Sequence, residues 1–169
     1  MKNTEASIQF AQPEHLPDMQ ALYAHHVLNG TGSFEEVPPS IDEIRERWGK
    51  REEANQPTLV AHIDQRLAGF AYAASHKERS AYRFSVEDSV YVLPDFAGQG
   101  VGRQLLEKLI DICSERGFQQ MMAVIGDSEN HASIALHRAC GFAHIGTATA
   151  LGYKFGTWLD IVYMQRSLR

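Results

Sequence analysis

The chain has 169 residues, 44% of them hydrophobic and 22% charged, which is the composition of an ordinary globular protein and excludes a disordered or fibrous one. Its formal net charge of -5 argues against a nucleic-acid binder, whose surface is normally basic, and favours a small-molecule partner. Apolar runs such as residues 121–125 are too short to cross a bilayer, and residues 1–9 lack the apolar segment of a signal peptide. We therefore expect one cytoplasmic domain that spans residues 1–169.

The first part of the chain predicts a strand followed by two helices. Residues 7–12 have the pattern of a strand. Side chains at helical spacing then predict an amphipathic helix, namely Met19, Leu22, Tyr23, His26 and Val27. After a loop that contains glycines and prolines, residues 29–39, Ser40 and Glu43 form a capping box that opens a second helix through Trp48.

The middle of the chain predicts three strands and the strongest helix. Residues 58–63 and 67–75 flank three polar residues, as in an antiparallel hairpin. A long strand covers residues 82–93 and ends before a proline. The helix that follows has its apolar stripe over residues 102–113, with Gly117 placed as a left-handed cap.

The last part of the chain predicts a strand over residues 121–125, a short helix over 132–139, and strands over 142–148 and 159–164. Three successive strands stand in the middle of the order, so the elements do not alternate regularly as in a chain of βαβ units. We predict an α+β fold, a mixed sheet with helices on both faces.

Cysteine and histidine usage argues against a disulfide framework and against a metal site. Cys113 falls within a helical pattern and Cys140 beside a predicted helix end, which favours reduced, buried thiols. The eight histidines form neither a Cys/His cluster nor an HExxH motif. We expect no metal.

A glycine-rich loop, Gly98-Gln99-Gly100-Val101-Gly102, lies between the long strand and the strongest helix. Glycines let backbone N–H groups approach an oxyanion closely, and a helix N-terminus adds partial positive charge. A Rossmann motif would need glycine at Arg103 or Leu105, and a Walker A loop would need Lys and then Ser or Thr at positions 103 and 104, so neither motif is present. Three glycines alone also suit a turn without ligand, but their position between strand and helix favours a pyrophosphate site.

The loop resembles the acetyl-CoA signature of the GNAT acetyltransferases, Gln/Arg-x-x-Gly-x-Gly/Ala, which here begins at Ala97. A second family block is matched by Asn130, Ser133, His137 and Gly141-Phe142. Four local strings resemble the phosphinothricin and methionine sulfoximine acetyltransferase subgroup, at residues 32–36, 82–92, 125–128 and 154–160. The resemblance covers nearly the whole chain and implies the GNAT fold, with a mixed, mostly antiparallel central sheet.

The resemblance implies acetyl-CoA as the acetyl donor. The cofactor-binding residues that it implies are Val90, Tyr91, Val92, Gly98, Gln99, Gly100, Val101, Gly102, Arg103 and Asn130. The three strand residues would bind the pantetheine arm through their backbone, with ordinary sheet pairing as the alternative. Arg103 would supply charge because Ala97 replaces the polar first residue of the signature, and Asn130 would hydrogen-bond the arm or cap a helix.

The resemblance also implies two catalytic residues. An α-amino group with a pKa of roughly 8 is about nine-tenths protonated at pH 7, so a base helps to free it for attack on the thioester. Glu87 matches the position of that base, the alternative being a solvated or ion-paired strand carboxylate. His137 stands where many relatives have the tyrosine proposed to protonate the departing thiolate, and its alternative is a structural histidine with satisfied hydrogen bonds.

The acceptor-site residues that the resemblance implies are Phe34, Arg79, Ser80, Ala81, Tyr82, Arg83, Lys154 and Trp158. Either arginine at 79 or 83 would bind a substrate carboxylate bidentately. Arginines at the surface and aromatic residues in the core are the ordinary alternatives.

The function that follows is acetylation of a small amino-acid analogue such as phosphinothricin, methionine sulfoximine or methionine sulfone, which would confer resistance or detoxification. Relatives in the subgroup imply a homodimer with the pocket near the subunit contact. Two alternatives stay open: acetylation of protein N-termini or polyamines, and a non-catalytic acetyl-CoA-binding regulatory module.

Overall fold

A mixed sheet of seven strands runs through residues 5–169, which are the residues that the computed structural model describes. Its strands are β1 Ser7–Phe10, β2 Thr58–Ile63, β3 Arg66–Ser75, β4 Ser85–Val92, β5 Gln120–Gly126, β6 Ala143–Lys154 and β7 Thr157–Ser167. The α-helices of this part of the chain are α1 Leu16–Asn29, α2 Ile41–Glu53, α3 Val101–Glu115 and α4 His131–Ala139.

The strand order is β1-β2-β3-β4-β5-β7-β6. Every neighbouring pair is antiparallel except β4 and β5, which are parallel because α3 crosses between them. The predicted α+β fold with a mixed, mostly antiparallel sheet is therefore confirmed.

Helices cover both faces of the sheet, as predicted. On one face α3 buries its apolar stripe, in which Leu105, Leu106 and Leu109 are fully buried, in a cluster that also holds Met121 of β5 and Met164 of β7. On the opposite face the side chains of α1 and α2 pack on β2 and β3 in a second cluster. Burial of each large apolar side chain contributes about 1.5–3 kcal/mol, so these two clusters fix the sheet between its helices.

The predicted helix caps are confirmed. Ser40 Oγ accepts from the Glu43 N–H at 3.2 Å, and Glu43 Oε2 accepts from the Ser40 N–H at 2.6 Å. Gly117, two residues after the end of α3, adopts φ +88°, in the left-handed region expected of a C-terminal cap. The second helix continues to Glu53 rather than ending at Trp48.

The strand predicted over residues 82–93 is shorter than expected. Ser80–Tyr82 forms a 3-10 turn, in which the Arg83 N–H donates to the Ser80 carbonyl at 3.2 Å, and β4 begins only at Ser85. The backbone N–H groups of Tyr82 and Arg83 are thus satisfied within the turn and not by strand pairing. The predicted acceptor residues 80–83 therefore lie on a turn beside the strand that carries Glu87.

Both cysteines are free and buried, as predicted. Within residues 5–169 no helix is long and apolar enough to span a membrane. The same part of the chain contains no group of three or more His, Cys, Asp or Glu side chains that could hold a metal ion.

Candidate active site

The parallel strands β4 and β5 separate in the middle of the sheet. Their last paired residues are Asp88 and Ala123, although the strands continue to Val92 and Gly126. Along the same stretch β4 keeps its antiparallel pairing with β3. The two strands therefore open as a fork, and within residues 5–169 the β4 edge that faces the fork has no partner strand beyond Asp88.

This open edge presents the backbone of Val90 and Val92. The Leu93 N–H donates to the Ala68 carbonyl of β3 at 2.8 Å. The backbone N–H and C=O groups of odd-numbered residues therefore point to β3, and those of even-numbered residues point to the fork. The Val92 carbonyl accepts a hydrogen bond from His26 Nε2 of α1 at 2.9 Å. A strand whose N–H groups lack a sheet partner is suited to hydrogen-bond an extended ligand.

The fork opens into a cavity of about 670 Å³, and the glycine-rich loop borders it. Gly98 and Gly100 have φ of +73° and +86°, backbone conformations that suit glycine, and α3 begins immediately afterwards at Val101. A Cβ at Gly102 would come within 3.4 Å of side chains that line the cavity. Backbone N–H groups and a helix N-terminus thus meet at one end of the cavity, which fits a pyrophosphate.

The loop side chains already have partners. Gln99 Nε2 donates to the Asp95 carbonyl at 2.9 Å, and Arg103 Nε donates to Glu107 Oε1 at 2.7 Å. The Arg103 side chain is 59% exposed, so its ion pair is weak. An anion at this loop would therefore be held mainly by backbone N–H groups, with Arg103 as an additional positive charge nearby.

Asn130 serves as the N-cap of α4 at the far wall of the cavity. Its Oδ1 accepts from the Ser133 N–H at 3.2 Å, and its Nδ2 donates to the Gly126 carbonyl at 3.5 Å. The side chain thus ties the end of β5 to the start of α4. Asn130 also borders the cavity, so capping and a ligand contact are compatible.

A buried pair, Asp88 and His137, lies where the fork begins. His137 Nε2 is 2.8 Å from Asp88 Oδ2, and His137 Nδ1 is 2.7 Å from the Ser133 carbonyl. The side chains are 5% and 1% exposed for His137 and Asp88. Burial acts to lower the pKa of His137, but the hydrogen bond and charge of Asp88 outweigh it, and the pKa is raised. Both ring nitrogens face acceptors, so the pair favours an imidazolium.

Asp88 is a site residue that the sequence analysis missed. It shares one strand face with Val86 and Val90, and that alternation places a carboxylate among apolar side chains. A carboxylate on a buried face needs a hydrogen-bonding or charged partner, and this requirement was the signal in the sequence that could have identified Asp88 as a site residue. Its partner was already a candidate, since His137 had been singled out in the second block.

Glu87 points to the opposite face of the sheet from Asp88. Its side chain is 31% exposed, and its Oε1 lies 3.3 Å from His76 Nδ1. Burial raises the pKa of Glu87 above its ordinary value, and His76 acts in the opposite direction. The cavity of the fork is bordered by β4 from Asp88 to Val92, so Glu87 lies one residue before it.

A second cavity, of about 450 Å³, lies in the segment between β3 and β4 and is lined by Lys77, Glu78, Arg79 and Tyr82. The Tyr82 ring stands edge-on to His76, with the ring centroids 5.6 Å apart. This arrangement brings the predicted acceptor residues Arg79 and Tyr82 together, with Ser80 and Ala81 between them on the same turn.

Arg83 is engaged differently from Arg79. Its Nη1 donates to the Ser80 carbonyl at 3.1 Å, and its guanidinium lies over the Phe84 ring at 4.6 Å. Of the two predicted carboxylate ligands, Arg79 is the one that borders the second cavity.

The remaining predicted acceptor residues lie apart from this cavity. Lys154 is 2% exposed and its Nζ donates to the carbonyls of Gly30 and Ser33 at 2.8 and 2.6 Å, so it holds the loop after α1. The Phe34 ring packs where a Cβ on Gly126 or Gly152 would otherwise be. Trp158 is 65% exposed and packs on Tyr153 at 5.0 Å.

Comparison with known proteins shows the family of this chain. Residues 19–142 match the family described as the Acetyltransferase (GNAT) family. The chain is 51% identical to phosphinothricin N-acetyltransferase of Alcaligenes faecalis over 162 residues, which cover 96% of this chain and 82% of that protein. It is 37% identical to L-methionine sulfoximine/L-methionine sulfone acetyltransferase of Pseudomonas aeruginosa over 164 residues, which cover 96% of this chain and 95% of that protein.

A solved structure also matches. The crystal structure of a GNAT superfamily phosphinothricin acetyltransferase from Sinorhizobium meliloti in complex with AcCoA superposes with a TM-score of 0.94 at 41% identity, over 97% of this chain and 89% of that one.

Proposed function

The chain belongs to the acetyltransferase (GNAT) family and is an acetyl-CoA-dependent N-acetyltransferase, and we propose that its acceptor is the α-amino group of a small amino-acid analogue. The proposed acceptors are phosphinothricin, methionine sulfoximine and methionine sulfone. The observation that carries this proposal is the similarity, over nearly the whole chain, to acetyltransferases named for these compounds.

The fork and the glycine-rich loop fit the donor. When bound, acetyl-CoA supplies an acetyl thioester for attack by the acceptor amine. The backbone of Val90 and Val92 would hold the pantetheine arm, while the predicted backbone contact of Tyr91 is taken up by its pairing with β3, and the loop N–H groups of residues 98–102 would hold the pyrophosphate. Arg103 and Asn130 would add one contact each at the two ends of the cavity.

Glu87 is the proposed base. An ammonium group cannot attack a carbonyl, so a carboxylate that takes its proton raises the fraction of reactive amine. The partly buried position of Glu87 raises its pKa toward the range useful to a base. Arg79, at the second cavity, is the proposed partner of the acceptor carboxylate, with Tyr82 and the turn at residues 80–81 beside it.

His137 is the proposed source of a proton for the thiolate. Its raised pKa keeps a proton available near neutral pH. Its two nitrogens are bonded to Asp88 and to the Ser133 carbonyl, so one of these hydrogen bonds has to open before a proton is delivered. A role of His137 limited to positioning would leave the thiolate to be protonated by water.

We also propose that the enzyme works as a cytoplasmic homodimer that detoxifies these analogues. Five large apolar side chains on and between β6 and β7 are more than half exposed, which is costly in a monomer: Ile145, Leu151, Tyr153, Phe155 and Trp158. Trp158 lies among them, so its predicted acceptor contact would be made near the subunit contact.

The experiment that tests the acceptor is CoA release from acetyl-CoA by the purified chain. The panel holds phosphinothricin, methionine sulfoximine, methionine sulfone, ordinary amino acids, polyamines and peptides with free N-termini. Turnover confined to the first three supports the proposal. Turnover of peptides or polyamines alone would contradict the acceptor, and acetyl-CoA binding without any turnover would favour a regulatory module.

A further inference from the structure

Glu87 has a neighbour that no motif predicted. Glu87 pairs with Ala74 of β3, and His76 follows two residues later, just beyond the end of that strand. The His76 N–H donates to the Ser85 carbonyl at 3.2 Å, which continues the β3–β4 pairing past Ser75. The hairpin backbone therefore carries the imidazole to the side of the Glu87 carboxylate.

The imidazole of His76 is held in a fixed place. Its side chain is 18% exposed, and the Tyr82 ring meets it edge-on at an interplanar angle of 76°. His76 Nδ1 is buried and makes no hydrogen bond to the described residues, but it lies 3.3 Å from Glu87 Oε1. A buried ring nitrogen that faces a carboxylate at this distance is placed for an ion pair that a small movement converts to a hydrogen bond.

We propose that His76 is a positioning residue for Glu87, which holds the carboxylate in place and sets the pH at which that carboxylate is free to accept a proton. The proposal rests on the proposed role of Glu87 as the base. His76 itself touches neither acceptor nor donor in this account.

The charges around Glu87 give the direction of the effect. Burial raises the pKa of Glu87, the nearby His76 and Lys77 lower it, and Asp88 raises it. Tyr82 is the titratable side chain that meets the His76 ring edge-on, and on β5 the residue paired with Glu87 is the uncharged Met122. Loss of the His76 ring removes an interaction that lowers the pKa of Glu87, while the effect of burial, which raises it, remains. The pKa of Glu87 therefore rises further, and the carboxylate is protonated at higher pH.

The test compares His76→Phe with His76→Lys. Phenylalanine keeps the ring against Tyr82 without a charge, whereas lysine keeps a positive charge without the ring. The quantity measured is kcat/KM from pH 5 to pH 9, divided by the wild-type value at each pH, because the titration of the acceptor amine is common to all variants and cancels.

For His76→Phe we expect the ratio of kcat/KM to the wild-type value to stay near one at pH 9 and to fall about three- to tenfold at low pH. The reason is that the acidic side of the pH profile moves up by about half to one pH unit. For His76→Lys we expect the limb near its wild-type position. An equal loss of kcat/KM at every pH in both variants would show a merely structural role and would overturn the proposal. Unchanged pH profiles in both variants would also overturn it. His62→Phe, on β2, is the matched control for loss of a histidine.

A second measurement separates this proposal from the role of Glu87. The carboxyl ¹³C resonance of Glu87 is titrated in the free enzyme, wild type and His76→Phe, and we expect a higher midpoint in the variant. If Glu87→Gln retains full turnover, Glu87 is not the base and the proposed role of His76 falls with it, even where the midpoint shifts. If Glu87→Gln loses turnover but the midpoint is the same in both proteins, the His76 proposal alone is wrong.

Discussion

Two adjacent carboxylates, Glu87 and Asp88, show how one strand gives the same functional group different environments. Alternation along β4 sends Glu87 to one face of the sheet, beside His76, and Asp88 to the other face, in the core beside His137. The partly exposed carboxylate is placed to exchange protons, and the buried one is paired. The resemblance picked out Glu87, whereas Asp88 emerged only from three-dimensional contact with His137, because no short motif links residues 49 positions apart.

The first prediction concerns Glu87. Glu87→Gln should lower kcat/KM about 10²- to 10⁴-fold, because the amide cannot take the proton of the acceptor. Its dissociation constant for acetyl-CoA should stay unchanged, as measured by calorimetry. Glu53→Gln at the end of α2 is the control and should retain full activity. A Glu87→Gln enzyme within threefold of wild type would remove Glu87 from the mechanism.

The second prediction concerns stability. The folded-state pKa of His137 is raised above its ordinary value of 6.5, so the contribution of the pair to the free energy of unfolding is complete below that pH and is lost as the pH rises through the folded-state pKa. Asp88→Asn should therefore lower the free energy of unfolding by about 3 kcal/mol at pH 6.

Urea unfolding at pH 6 and pH 9 checks this sign. The difference between wild type and Asp88→Asn should shrink at pH 9. Asp95→Asn, whose partner Arg66 is exposed, should change stability by less than about 0.5 kcal/mol at both pH values. A difference for Asp88→Asn that grows with pH would mean that the folded state does not favour the imidazolium.

At the scale of elements, the fork between β4 and β5 is the feature that makes a ligand site out of a sheet. The pattern of residues 82–93 predicted a strand but not the place where its pairing with β5 would stop, since the cavity at that place is lined by residues of α4 and of the loop after α1, which are distant in sequence. Turn chemistry at Ser80–Tyr82 was missed for a related reason. The segment has no glycine or proline to mark a turn, and its hydrogen bonds appear only in the folded chain.

Lys154 of β6 is a second example of a contact that local sequence patterns do not predict. The resemblance assigned it to the acceptor pocket, and in the fold its ammonium group instead satisfies two carbonyls of the loop after α1. Burial lowers the pKa of Lys154, yet its two hydrogen bonds favour the charged form. A lysine at the end of a strand pattern gives no indication of such a partner more than 100 residues away.

The third prediction tests the loop. Gly100 precedes α3 with φ +86°, so any side chain strains the turn, and an arginine adds bulk beside the proposed anion site. Gly100→Arg should abolish acetyl-CoA binding in calorimetry while the chain still folds. Gly49→Arg, on α2 with no atom near its Cβ position, should bind as wild type. Full affinity in Gly100→Arg would exclude this loop as the pyrophosphate site.

At the scale of the whole molecule, most of the fold was predictable because its periodic elements are long. Helix caps at Ser40 and Gly117 and the stripe of α3 follow from local chemistry. The sheet order β5-β7-β6 does not follow from local chemistry, because β7 inserts between two strands that precede it in the chain and no local pattern encodes that insertion. Phe34, packed over Gly126 and Gly152, shows how distant segments jointly fix the loop after α1.

The fourth prediction concerns assembly. Gel filtration with light scattering should give the mass of a dimer for the wild type. Trp158→Glu should yield a monomer, because a charge at a buried subunit contact is costly. Val37→Glu, at an exposed position before α2, should remain a dimer. A wild-type monomer at working concentration would contradict the proposed homodimer.

The central claim, that the acceptor is an α-amino acid analogue held by its carboxylate, is tested most directly by one comparison. The measurement is kcat/KM for methionine sulfoximine and for the corresponding amine that lacks the α-carboxylate, in wild type and in Arg79→Gln. We predict a loss of about 100-fold or more on removal of the carboxylate in the wild type, and a much smaller difference in Arg79→Gln. Equal kcat/KM values for the two acceptors in the wild type would contradict the account.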